Sequence, residues 1–127
     1  MTDAAQRWAE QAQYDLDTAR AMLTSSRYLY VLFCCQQGVE KALKCVIARR
    51  TGELPPRTHN LIRLAESAGI ELPVGRRQFF GELTAYYIQT RYPEEINTSG
   101  PALTRDIAHE TLRKTEETAQ WLFSIPT

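Results

Sequence analysis

The chain has 127 residues, 43% of them hydrophobic and 24% charged, which suits one domain over 1–127 with its own core and excludes a disordered or collagen-like chain. Fifteen basic and fifteen acidic side chains cancel, so bulk charge supplies no drive toward nucleic acid. The longest apolar run, Tyr28–Cys35, has eight residues against the ~20 that a membrane span needs, and the polar stretch Met1–Glu10 holds no signal-peptide core; the expectation is a soluble, cytoplasmic protein.

The predicted elements are helices divided by Pro and Gly. The first is expected from about Asp3, as N-cap, to Leu23, because Trp8, Ala12, Leu16, Ala19 and Leu23 step by four, four, three and four along one face. Ser25 and Ser26 end it. The second, about Arg27 to Arg50, is apolar around most of its circumference (Tyr30, Val31, Phe33, Cys34, Val39, Ala42, Leu43, Val46, Ile47). A helix of that kind must be covered on several sides, by other helices or by a second subunit. Its polar stripe is Gln37, Glu40, Lys41 and Lys44.

Gly52 and the Pro55-Pro56 pair break the chain. A short helix is predicted from Thr58, as N-cap, to Gly69, which places His59 in its first turn. After Pro73 and Gly75, a helix from about Arg76 to Arg91 carries Phe79, Phe80, Leu83, Tyr86 and Tyr87 on its apolar side, and Pro93 stops it near Tyr92. These aromatics and the all-round apolar second helix are more than one small bundle is expected to bury, which predicts a dimer. Residues 94–103 read as loop. Thr104 can cap the last helix, with Ile107, Ala108, Thr111, Leu112, Ala119, Leu122 and Phe123 as its stripe. Strand patterns are nearly absent. The fold class is therefore all-α, an up-and-down four-helix bundle with one additional short helix.

Charge is uneven along this frame. From Lys41 to Arg63 six basic residues face Glu53 alone, a local +5, and from Glu94 to Glu117 six acidic residues outnumber three basic ones. Such runs are either solvated helix faces that pair with one another or an anion-binding patch. Three cysteines make no disulfide framework. Cys34 and Cys35 are adjacent and point ~100° apart on a helix, with Cys45 ~16 Å further along the axis, so they read as buried free thiols.

No Gly-rich phosphate loop, His-Glu-x-x-His or Cys-x-x-Cys motif is present, so the sequence implies no metal and no cofactor. Four polar features remain. Gln36-Gln37-x-x-Glu40-Lys41-x-x-Lys44 places Glu40 four residues before Lys44, the favourable order for an intrahelical pair; it is a solvated stripe, the lining of a cleft or a dimer seam. Thr58-His59-Asn60-Leu61 offers an imidazole beside a basic loop. Arg91-Tyr92-Pro93 sets a guanidinium and a phenol at a helix end, suited to gripping an anion beside a stacking ring. Arg105 and His109, spaced i, i+4, share one face of the last helix.

Together these pieces resemble a HEPN domain, the small helical domain found beside minimal nucleotidyltransferases in prokaryotes. The carriers are Trp8 and Asp15-Leu16 in the first helix, the run Phe33–Lys44, Thr58-His59-Asn60-Leu61 and Arg91-Tyr92-Pro93, in the family's order from about Trp8 to Leu122. The resemblance implies a homodimer, a separate nucleotidyltransferase chain as partner, and often a toxin–antitoxin pair. Many members are metal-independent ribonucleases that use Arg-x(4–6)-His. Neither His59 nor His109 has an arginine five to seven residues before it, and Arg105-x-x-x-His109 is one residue short. That leaves Arg105 and His109 as ribonuclease candidates without the motif. The other branch implied is a non-catalytic nucleotide- or substrate-binding subunit, with Arg91, Tyr92, His59, Gln37, Lys41 and Lys44 lining the cleft and a nucleotide or RNA as ligand. A dimeric helical scaffold is the third reading.

Overall fold

A computed structural model describes residues 2–91 and 103–127, the side chains of 89–91 excepted. Among them are five helices: α1 (Asp3–Thr24), α2 (Tyr28–Thr51), α3 (Leu61–Ser67), α4 (Val74–Arg91) and α5 (Arg105–Ser124). This is the expected all-α bundle with one short additional helix. Helix α2 packs against each of the other four, so its apolar surface is covered within the chain except at its start, where Leu29 and Tyr30 are exposed. Of the four aromatics of α4 expected to be surplus to one small bundle, Phe79, Phe80 and Tyr87 are buried in the chain's own core and supply no apolar face for a second subunit, while Tyr86 is half-buried.

Local chemistry sets the helix ends. Thr2, not Asp3, caps α1 by accepting a hydrogen bond from the Ala5 amide at 3.1 Å. The helix closes with paired 6→1 and 5→2 bonds, Arg27 N to Met22 O and Ser26 N to Leu23 O, and Ser26 takes the left-handed position at φ 62° that glycine usually fills. Gly52 ends α2 in the same left-handed region, φ 69°. The short helix begins later than predicted. Asn60 Oδ1 accepts from the Arg63 amide at 3.1 Å, so the cap is Asn60 instead of Thr58, and His59 stands before the helix rather than in its first turn. Thr104 caps α5 as expected, bonding the Ile107 amide.

Helices α1 and α2 pack tightly at Gly38, where an added Cβ would lie 2.9 Å from Leu16 Cδ2. Two guanidiniums tie the far end of α2 to its neighbours. Arg50 donates to the carbonyls of Ala68 and Gly69 at the end of α3, and Arg49 to those of Phe123 and Ile125 at the end of α5. Each thereby satisfies carbonyls that a helix terminus leaves unpaired. Arg76 of α4 lies 4.3 Å from the centroid of the Trp121 ring and donates to Thr118 Oγ1 at 3.2 Å, joining α4 to α5.

All three cysteines are buried free thiols, as expected from their spacing. Burial pushes the Cys35 thiol up to about 12 and raises those of Cys34 and Cys45 as well, so at neutral pH they are protonated core residues rather than thiolate nucleophiles. Among the described residues, no helix is long and apolar enough to cross a membrane and no cluster of side chains could hold a metal ion.

Candidate functional site

The polar stripe of α2 is not solvated. Gln36, Glu40 and Lys44 repeat every four residues along one face, where Trp8 of α1 and the loop before α3 meet them. The side chains of Glu40 and Lys44 are only 4% and 13% exposed. Burying a carboxylate requires that its charge and lone pairs be answered, and both oxygens of Glu40 are engaged. Oε2 pairs with Lys44 Nζ at 3.0 Å, and Oε1 lies 2.7 Å from His59 Nδ1, with Gln36 Nε2 at 3.5 Å. Lys44 in turn sits 5.2 Å from the centroid of the Trp8 ring on α1.

The loop residue His59 is held three ways. Its ring bonds Glu40, its backbone carbonyl accepts from Gln36 Nε2 at 2.9 Å, and its ring stacks on Tyr87 of α4 with centroids 4.7 Å apart and planes at 29°. Tyr87 stacks in turn on Phe33 of α2, at 5.9 Å and 14°. Although tethered, the His59 side chain stays 53% exposed. The result is a fixed imidazole at the surface, backed by a buried carboxylate. In chain order its parts come from α2, the Pro-rich loop and α4, so no local segment holds the site.

The sequence-derived candidates divide accordingly. His59 and Lys44 meet on Glu40. Lys41 is on another side of α2, paired with Asp15 of α1 at 2.8 Å. Gln37 is half-buried, and its Oε1 has no hydrogen-bond partner among the described residues. Arg91 occupies the backbone register one turn after Tyr87 on α4; its side chain and the whole of Tyr92 lie outside the described residues. Arg105 and His109 are both exposed on α5. His109 lines a shallow groove of about 380 Å³ between α1 and α5 with Arg20, Arg113 and Glu116 among its walls, sharing no residue with the Glu40 cluster.

The Lys41–Arg63 run does not make the anion patch that its local charge suggested. Lys41 and Lys44 are paired with carboxylates, and Arg49 and Arg50 bond backbone carbonyls. Only Arg57 and Arg63 of the six make no side-chain contact of this kind among the described residues. The acidic stretch is similarly occupied in part: Arg113 bonds Glu110 and Glu117 on the surface of α5, which holds the Glu110 carboxyl below its usual range.

Tyr87 was read only as a core aromatic, and Gln36 and Glu40, the hub of the cluster, were read as a polar stripe that could line a cleft but were not among the residues assigned to the ligand. The sign was present in the four-residue repeat Gln36, Glu40, Lys44 on a helix that is apolar on its other sides. A charged residue there had to be buried and therefore partnered.

No curated protein matches the chain. Two crystal structures resemble it over nearly their whole length. TT1696 from Thermus thermophilus shares 29% identity, with a TM-score of 0.82 over 96% of this chain and 98% of that one. ST0689, an archaeal HEPN homologue, shares 25% identity, with a TM-score of 0.75 over 96% and 97%. The family model of the HEPN domain matches residues 5–125. With the five-helix bundle and its Glu40-centred cluster in place, the chain belongs to the HEPN domain family.

Proposed function

We propose that this HEPN chain is a binding and interaction module, the non-catalytic nucleotide- or substrate-binding partner of a separate minimal nucleotidyltransferase in a toxin–antitoxin-like pair. The observation that carries the reading is the fixed, half-exposed His59 ring, tethered to buried Glu40 and stacked on Tyr87. An orienting carboxylate, an accessible ring and the Arg91 position one helical turn from Tyr87 form a preorganised recognition surface, which costs a ligand little ordering on binding. In this reading Tyr92 and Arg91 complete the ligand site, while Lys44 is committed to Glu40 and supports His59 from behind, and Lys41, paired with Asp15 on another side of α2, stands apart from it. Titration calorimetry with ATP tests it. Arg91→Ala is expected to weaken binding by about tenfold or more, the worth of a hydrogen bond from a charged group, with the melting temperature unchanged. Equal affinity in both proteins would remove Arg91 from the site.

The ribonuclease alternative through Arg105 and His109 has less support. The cations beside His109 are already committed, Arg20 to Asp17 and Glu116 and Arg113 to Glu110 and Glu117, and the Arg-to-His spacing is short. Against the purely structural scaffold stands the buried Glu40 cluster, which is more than a solvated stripe.

We propose further that the module acts as a homodimer. With the core aromatics used internally, the apolar groups available to a second copy are exposed ones, among them Tyr14 on α1 and Leu29 and Tyr30 at the start of α2. Light scattering at micromolar concentration is expected to give twice the 14.5 kDa chain mass, and Tyr30→Glu to shift it toward the monomer. A monomeric wild type would overturn the dimer.

A further inference from the structure

The stack Phe33–Tyr87–His59 has two ends. Phe33 is half-buried in α2, whereas His59 closes the other end with more than half of its side chain open. Tyr87 covers one face of the imidazole and Glu40 takes its Nδ1 edge. What remains accessible is therefore the opposite face and the Nε2 edge. Among the described residues no ring lies on that face, and Nε2 makes no hydrogen bond. The ring is held at Nδ1 by Glu40 and by its stack on Tyr87, and the backbone beneath it by Gln36.

We propose that the open face of His59 is a stacking platform for a nucleobase, so that this module reads the base of its ligand before the phosphates. The proposal rests on the nucleotide-binding reading and deepens it. A planar aromatic ring on His59 would extend the three-ring stack by one member, and every nucleobase has a π-face that such a platform accepts. The hydrogen-bonding edge points the same way. In the neutral ring, Glu40 Oε1 is an acceptor, so Nδ1 carries the proton and Nε2 presents a lone pair. That lone pair receives a donor, such as a base's exocyclic amine or a ribose hydroxyl. A fully ionised phosphate offers only acceptors. Lys44, spent on Glu40, offers no cation to a phosphate at this edge.

Adenosine, ATP and inorganic phosphate, each titrated separately and followed by the imidazole C–H resonances of His59 with those of His109 as an internal control, test the platform. Adenosine is expected to shift the His59 signals upfield and to bind more weakly than ATP by about the tenfold that the Arg91 contact contributes, while phosphate alone leaves them in place. His59→Ala should reduce adenosine affinity by about tenfold or more, and His59→Phe, which keeps a flat ring, should retain most of it. ATP binding with unmoved His59 signals, or equal adenosine affinity in His59→Ala, would overturn the platform and leave nucleotide binding standing. If neither adenosine nor ATP binds, both readings fall.

Discussion

Glu40→Ala is expected to lower the unfolding free energy by about 3–5 kcal/mol, the cost of leaving one partner of a buried ion pair alone. Both Glu40 and Lys44 are nearly inaccessible, so Lys44 would keep its charge away from water with only the Trp8 ring to face it. His59 and the Gln36 amide would lose an acceptor as well. In a domain whose total stability is of order 5–15 kcal/mol, that loss should move the melting temperature down by about 10 °C or more. The matching double variant separates charge from shape. Glu40→Ala with Lys44→Met removes the stranded ammonium and should recover a large part of the loss. Glu110→Ala is the contrast, because its partner Arg113 is half-exposed and a surface pair of that kind contributes little. Denaturant unfolding of the four proteins measures all of this; a Glu40→Ala loss no larger than that of Glu110→Ala would show that the cluster is not the buried unit described above.

The second large effect is expected at Phe80. Its ring is fully buried, in the same core cluster as Leu43 and Leu61. Phe80→Ala removes most of that volume from a core that cannot fully collapse into the gap, at about 3–5 kcal/mol. Its neighbour Phe79 is covered in part by the Lys114 side chain, whose ammonium sits 5.9 Å from the ring centroid, so solvent-side groups can close over a smaller residue there. Phe79→Ala should therefore cost less. Thermal and urea unfolding, with the urea slope unchanged, provide the check. A loss below ~1 kcal/mol at Phe80 would contradict its place in the core.

These two residues differ in how legible they were. Phe80 belongs to the apolar side of its helix, and a period of 3.6 is enough to place such a residue inside. The same holds for the α1 stripe, for the five-helix order and for the three inert cysteines. Helix ends were read to within a few residues, because capping depends on which of several adjacent polar side chains takes the amide; Thr2 displaced Asp3 and Asn60 displaced Thr58 by such local competition. The resemblance to HEPN domains was readable for a related reason. Its motifs are short runs, each within one element.

What the sequence by itself determined, then, is the all-α bundle, the apolar faces and the Glu40–Lys44 pairing, all of them consequences of spacing along a single helix. Only the tertiary structure decided where the charges go. Four of the six cations in the basic run turned inward to carboxylates and helix-end carbonyls, and Glu40 found His59 nineteen residues away. Side chains far apart in the chain meet only when helices pack, and in a low-dielectric interior the requirement that every buried charge be answered selects partners that no local pattern specifies.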